Sequence, residues 1–217
     1  MQISECCRYA ASERGVQGRL WQDLAGRVVV QSAAERAGRV ARAAADAARH
    51  AAALLGGRAH DRELGRRSVG WTLAHTDQHS KDFMRALPFD LRFELGGQRV
   101  RLVHGSPRKV NEYLFEDKPA RLYERLAGLA DCDVLAFGHT HRPWIHTHGG
   151  VLFVSCGSVG KPKDGDPRAA FAVLELDQDG HIRASIERVA YDAAAVARAV
   201  VAAGLLGEYG EKLLAAA

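Results

Sequence analysis

The sequence predicts an α/β protein. Helical patterns alternate with short apolar segments of strand character in the first part of the chain, and strands joined by tight turns follow towards its end. Strands separated by helices and then hairpin-linked strands are typical of a helix-covered sheet layered against mainly antiparallel strands. With 217 residues the chain is long enough for one domain with a buried core.

Four segments have the apolar spacing of amphipathic helices: residues 63–74, 77–87, 119–129 and 191–203. In the third we expect Leu122, Leu126 and Leu129 to face the core, because they recur at helical intervals. In the fourth, Asp192 is placed to cap the N-terminus and Gly204 to end the helix.

Seven segments are predicted strands: residues 28–30, 89–94, 98–104, 134–137, 151–154, 169–176 and 182–189. Gly96-Gly97 joins the second and third of them in a hairpin. Residues 177–180 join the last two, where Gly180 supplies the left-handed backbone of the turn.

Three of these strands run directly into a polar loop that contains glycine: LVHGSP at 102–107, VLAFGHTH at 134–141 and VLFVSCGS at 151–158. Ligands bind beyond the carboxyl ends of strands in open α/β sheets, so we expect the loops to meet at one edge. Imidazole is a common ligand of Zn, Mn and Fe. Alone, His139 and His141 fit a structural or surface pair equally well, but His104 on a second strand favours metal ligation.

These motifs carry a family resemblance. Together with NEYLFED at 111–117 and KPKDGDPR at 161–168, they resemble the calcineurin-like metallophosphoesterase superfamily, in particular its small bacterial branch described as phosphodiesterases, from about residue 61 to the C-terminus. The resemblance implies a four-layer α/β/β/α sandwich. It also implies hydrolysis of phosphodiester or phosphomonoester bonds in a small substrate, by water activated between two divalent ions (Mn, Fe, Zn or Ni).

The resemblance also implies roles for individual residues. The implied catalytic metal ligands are His104, His139 and His141, of which the first two share one ion and the third binds the other. The implied substrate contacts are Arg108, Lys109, Gly157 and Ser158, with the two glycine-loop residues shaping the floor of the site. Arginine suits such a contact because its guanidinium can meet phosphate oxygens bidentately.

The N-terminal part departs from the family pattern. The family begins with Asp-x-His, Gly-Asp and Gly-Asn motifs, whereas residues 1–60 contain no Asp-x-His or Gly-Asp, and the chain has no asparagine before Asn111. We therefore expect residues 1–60 to be an atypical Ala/Arg-rich segment, disordered or helical, from a misassigned reading frame. Residues 61–217 would form a metallophosphoesterase-like domain that lacks its N-terminal portion.

The missing carboxylates affect the predicted chemistry. Three neutral imidazoles leave two divalent ions under-ligated and without a bridging anion against their repulsion. We expect hydrolysis to be impaired in this chain. The alternative is a catalytically inactive remnant that acts as a binding or oligomerisation module, and the sequence leaves homo-oligomerisation open.

Composition bears on partners and location. Residues 1–60 hold nine arginines, no lysine and five acidic residues, and the whole chain has a net charge of +4. Such an excess indicates non-specific contacts more than nucleic-acid recognition, so an RNA-associated protein is a third and weaker reading. The sequence has no apolar run of about 20 residues and no secretory signal. We expect a cytoplasmic protein without membrane contact.

Other candidate motifs are weaker. Residues 155–161 lack the first glycine of a phosphate loop, and Pro162 replaces its Ser or Thr. The pairs His75/His79 and His146/His148 read as surface histidines. Residues 111–117 fit a substrate-side lid or a dimer contact, and the sequence does not choose between the two.

Overall fold

The computed structural model describes residues 20–22, 28–30, 59–86, 88–205 and 207–217. These residues form two β-sheets and five helices, which confirms the α/β class. No helix in the described ranges is both long and apolar enough to cross a bilayer. Most of residues 1–60 lies outside the described residues. The expectation that this segment is disordered or helical therefore stays a prediction.

The described helices are α1 (Ala59–His75), α2 (Gln78–Ala86), α3 (Ala120–Ala130), α4 (Ala193–Ala202) and α5 (Gly207–Ala215). The strands are β1 (Leu20–Gln22), β2 (Val28–Val30), β3 (Leu91–Leu95), β4 (Gln98–Leu102), β5 (Val134–Phe137), β6 (Pro143–His148), β7 (Val151–Cys156), β8 (Ala169–Leu176) and β9 (Ile182–Val189). Each predicted helix and strand is present within a few residues of its expected bounds. The sequence did not predict β1, β6 or α5.

The five-stranded sheet has the order β3-β4-β5-β7-β6. Its three central strands, β4, β5 and β7, are parallel, while β3 and β6 pair antiparallel at the edges. Because parallel strands end at the same edge of a sheet, the three glycine-containing loops leave side by side. The predicted convergence of these loops is confirmed.

The four-stranded sheet has the order β1-β2-β8-β9 and is antiparallel throughout. Val28–Val30 pairs with β8, so this part of the N-terminal segment belongs to the sheet. Apolar residues of both sheets form one core cluster between them, including Val100, Val134 and Val154 from the first sheet and Ala172 and Leu174 from the second.

Helix α3 covers the other face of the five-stranded sheet. Its buried stripe runs through Tyr123, Leu126 and Ala130, which pack with Phe137, Trp144 and Phe153. Leu126 faces the core as predicted, and Leu122 is partly buried. The prediction for Leu129 is wrong, because this residue lies beside the stripe and is 54% exposed.

Both ends of helix α4 are as predicted. The Asp192 carboxylate accepts a hydrogen bond from the Ala195 amide at 2.8 Å and so caps α4. Gly204 follows the helix with a φ of 79°. Helix α5 then packs closely on α4, where Gly210 leaves only 3.3 Å between an added Cβ and the Ala197 carbonyl oxygen.

Candidate metal centre

Hydrogen bonds hold the first two strand-end loops together. The Val103 amide donates to the Ala136 carbonyl at 3.0 Å, and the Gly138 amide donates to the His104 carbonyl at 2.9 Å. The second of these bonds continues the parallel pairing of β4 and β5 by one step beyond the strands. It brings the backbone of His104 beside the residue that precedes His139.

The side chains of His104 and His139 meet at this point. Their nitrogens Nε2 and Nδ1 are 2.9 Å apart, and the two rings are close to perpendicular at 72°. Two nitrogens that bind the same ion, each at about 2.1 Å, lie about 3.0–3.4 Å from each other. The present contact is a hydrogen bond between the two rings; with both protons on the far nitrogens, two neighbouring lone pairs would be available to one ion. The pair therefore fits the imidazole share of a metal site.

The backbone of the His139–His141 loop is left-handed at two non-glycine residues. The φ angles of His139 and His141 are 70° and 62°. Such conformations cost about 1–3 kcal/mol each and persist only where the surroundings enforce them. Thr140 provides the anchor: its side chain is 2% exposed, and its hydroxyl lies 3.3 Å from both the amide and the carbonyl of Arg142. Two of the four left-handed non-glycine residues in the described ranges are thus predicted ligands.

His141 is oriented by the third loop. Its Nδ1 lies 2.6 Å from the Lys161 carbonyl oxygen, and since a carbonyl only accepts, Nδ1 carries the proton. In the neutral ring Nε2 then has the lone pair, as in metal-bound histidines whose second nitrogen donates to a backbone carbonyl. The third loop thus sets the tautomer of His141.

Gly157 and Ser158 build that loop. Gly157 has a φ of 74°, and a Cβ there would lie 2.8 Å from Ala170 Cβ. Ser158 is 1% exposed, and its hydroxyl accepts a hydrogen bond from the Lys161 amide at 2.9 Å. Through this bond Ser158 fixes the residue whose carbonyl orients His141.

A turn stabilised by a carboxylate follows His104. The Ser106 hydroxyl donates to Glu112 at 2.5 Å and accepts from the amides of Arg108 and Lys109. The Arg108 guanidinium forms a bidentate ion pair with Glu112. Burial raises the pKa of Glu112, but the hydrogen bonds from Arg108 and Ser106 outweigh it and leave the pKa below its ordinary value. Lys109 is exposed.

The structure brings Tyr113 to the site, which the sequence did not assign to it. The Tyr113 ring lies 4.3 Å from the His139 ring, centroid to centroid, and the side chain is 49% exposed. The sequence left residues 111–117, which resemble one subgroup of the family, open between a substrate-side lid and a dimer contact, and Tyr113 was marked only by its place in this segment.

The two histidine pairs that the sequence placed on the surface are not part of this centre. His75, His79 and His146 are exposed, and His148 is half-buried and stacked on Tyr123. Within the described part of the chain, no group of three or more His, Cys, Asp and Glu side chains is arranged to hold a metal ion. Cys132 and Cys156 are both buried and form no disulfide within the described residues.

Comparison with known proteins identifies relatives of this fold. Residues 74–179 match the sequence model of the calcineurin-like phosphoesterase superfamily domain. A protein of Methanocaldococcus jannaschii is 24% identical over 168 residues, which are 70% of this chain and 65% of that protein. Phosphodiesterase YfcE of Escherichia coli is 36% identical over 80 residues, which are 37% of this chain and 36% of YfcE. The chain thus spans less than two thirds of either relative.

Two solved structures share the fold of this chain. A metallophosphoesterase of Sphaerobacter thermophilus superposes with a TM-score of 0.60 at 25% identity, covering 71% of this chain and 68% of that one. A hypothetical protein of Pyrococcus horikoshii superposes with a TM-score of 0.63 at 19% identity, covering 70% and 60%, and shows the shared fold alone. Residues 74–179 of this chain therefore belong to the calcineurin-like phosphoesterase superfamily.

Proposed function

We propose that this chain is a metal-dependent phosphoesterase that hydrolyses phosphodiester or phosphomonoester bonds in a small substrate. The observation that carries the proposal is the 2.9 Å approach of His104 Nε2 and His139 Nδ1 at the joined ends of two parallel strands. His104 and His139 would hold one divalent ion, and His141 would hold a second. Bound there, Mn²⁺, Fe²⁺, Zn²⁺ or Ni²⁺ would polarise a phosphoryl oxygen and lower the pKa of a bound water.

The surrounding residues support an anionic substrate. Arg108 and Lys109 follow the predicted ligand His104 in the turn and are both exposed, although Glu112 already neutralises part of the Arg108 charge. Gly157 and Ser158 form the floor, since the loop they build carries the Lys161 carbonyl that orients His141. Positive charge around a cleft draws a phosphate towards it and raises its local concentration.

The proposal includes impaired hydrolysis, because the three histidines bring no negative charge to the site. Two divalent ions a few ångströms apart repel each other strongly without a bridging anion. The alternative is a catalytically inactive remnant that serves as a binding or oligomerisation module. It is favoured by the lack of a three-ligand metal group among the described residues.

Metal content and turnover, measured on the same preparation, test the proposal. The full chain is loaded with Mn²⁺, its metal is quantified, and hydrolysis of bis(p-nitrophenyl) phosphate is followed. Turnover that is lost in His139→Ala and kept in His79→Ala, an exposed histidine of α2, supports the phosphoesterase. Bound metal without turnover supports the remnant. Absence of both bound metal and turnover contradicts a metal-dependent function for this chain.

A further inference from the structure

An aromatic surface starts at the predicted metal ligand and extends into solvent. The Tyr113 ring packs on His139 with a 48° tilt and lies 5.7 Å from the Phe115 ring, centroid to centroid. The planes of Tyr113 and Phe115 differ by 20°, which is an offset stack. Tyr113 remains 49% exposed, so this pair offers aromatic surface directly beside the histidine site.

The backbone holds this pair in place. Leu114, the residue between Tyr113 and Phe115 in the sequence, is fully buried in the core cluster under α3. Its carbonyl accepts a hydrogen bond from Trp144 Nε1 at 3.1 Å, and the Phe115 carbonyl accepts one from the Tyr123 hydroxyl. The burial of Leu114 and these two hydrogen bonds fix the segment in one position, so it forms a rigid side of the site. A fixed binding surface loses little conformational entropy when a ligand binds.

Two cations border the aromatic pair. The guanidinium carbon of Arg142 lies 5.6 Å from the Phe115 centroid, and Lys118 Nζ lies 5.9 Å from it. Arg142 is fixed by a hydrogen bond from its Nε to the Lys163 carbonyl at 2.7 Å. The surface next to the phosphate site therefore combines an aromatic face with positive charge, which is the combination that binds nucleotides.

We propose that Tyr113 is a base-stacking residue and that the ligand of this site is a nucleotide. The inference rests on the proposed function, which puts the phosphate at His139. Because Tyr113 contacts the ring of His139, the organic group attached to that phosphate is the first part of the ligand to reach it. A planar base would pack against the exposed part of the Tyr113 ring, which is 49% accessible, whereas a sugar phosphate would leave that part in water. Arg142 and Lys118 offset the negative charge of further phosphates.

Calorimetric titration of the Mn²⁺-loaded full chain tests the inference with three probes: inorganic phosphate, ribose 5-phosphate and adenosine 5′-monophosphate, each checked to be intact afterwards. Stacking on one aromatic side chain predicts that the nucleotide binds about tenfold tighter than ribose 5-phosphate. Tyr113→Phe should keep this ratio. Tyr113→Leu should bring it close to one without changing the affinity for ribose 5-phosphate. Phe89→Leu, at an aromatic residue that is 44% exposed, is the control and should keep the ratio.

The failures can be told apart. Equal affinity of the wild-type chain for the nucleotide and ribose 5-phosphate overturns the stacking inference and leaves the phosphoesterase proposal standing. A ratio unchanged in Tyr113→Leu also overturns it, since the base then binds elsewhere. Loss of ribose 5-phosphate binding in Tyr113→Leu assigns Tyr113 a structural role and overturns it as well. If neither phosphate nor ribose 5-phosphate binds in an Mn²⁺-dependent way, the proposed function fails, and this inference fails with it.

Discussion

Gly105 connects the predicted ligand His104 to the turn that follows it, and its surroundings leave no room for a side chain. A Cβ at this position would lie 2.5 Å from the Val110 carbonyl oxygen, 2.8 Å from the Lys109 carbonyl oxygen and 2.9 Å from the Glu112 amide nitrogen. All three atoms belong to the backbone, so no change of rotamer relieves the contacts. Gly105→Ala must move the 109–112 backbone or His104.

The expected destabilisation follows from these contacts. Overpacking typically costs 1–3 kcal/mol, and rigid backbone obstacles put this case at about 2 kcal/mol or more. The displaced Lys109 carbonyl also accepts hydrogen bonds from the amides of Ser106 and Glu112, at 2.9 and 3.5 Å. Weakening this pair adds about 1 kcal/mol. We expect the free energy of unfolding to fall by about 3 kcal/mol and the melting temperature by about 6–12 °C.

Urea denaturation followed by tryptophan fluorescence, together with calorimetry, measures both quantities. Gly160→Ala is the matched control in a neighbouring loop, because its added Cβ has no atom within 4 Å. Its stability should stay within about 0.5 kcal/mol of the wild type. If Gly105→Ala is equally mild, the close approach of the two backbone segments after His104 is refuted.

Three further predictions concern helix propensity, pH dependence and thiol reactivity. Gly128→Ala in α3, with no atom near the added Cβ, should stabilise the protein by about 0.5–1 kcal/mol in the same urea assay; an unchanged or lower stability contradicts this. Hydrogen bonds from Arg168 lower the pKa of Asp166 from 3.8 to about 2. The stabilisation is therefore present above pH 3.8 and lost as the pH falls towards 2, so the melting temperature of Asp166→Asn should fall less over this range than that of the wild type; equal falls contradict the assignment. Cys132 is only 4% exposed, and this burial raises the pKa of its thiol to about 11. Mass-spectrometric mapping after iodoacetamide treatment at pH 8 should find Cys132 labelled only once urea unfolds the chain, and labelling in the folded protein would contradict its burial.

The predictable part of the structure depends on local patterns. Apolar segments that end in glycine-containing loops indicated β4, β5 and β7, and their parallel pairing follows from the intervening helix and hairpin. The spacing of His139 and His141, with His104 on another strand, was enough to predict that the first two loops meet. For each strand the signal lies within one short segment of the sequence.

The missed features depend on tertiary contacts. Pro143–His148 begins with proline and carries polar residues, a weak pattern for a strand, but β6 is an edge strand, where proline is tolerated. Two glycines weaken the helix propensity of α5, and at one of them, Gly210, an added Cβ would lie only 3.3 Å from the Ala197 carbonyl oxygen. Leu129 has helical spacing but lies beside the stripe that the sheet covers.

The site also had features that no local pattern shows. Left-handed backbone at His139 and His141 is unusual for histidine and is enforced by the burial of Thr140 and the bonds of Arg142. Tyr113 reaches His139 across 26 residues of sequence, which only the folded chain brings together. Such non-local contacts decide the detail of the site.

The central claim is that His104 and His139 bind one divalent ion together, and a double-mutant cycle on Mn²⁺ affinity tests it most directly. If the two nitrogens share an ion, His104→Ala and His139→Ala should each weaken binding about 100-fold or more. The double variant should be little worse than either single one. His79→Ala should bind as the wild type does. Wild-type affinity in either single variant, or losses that add up in the double variant, would contradict a shared ion.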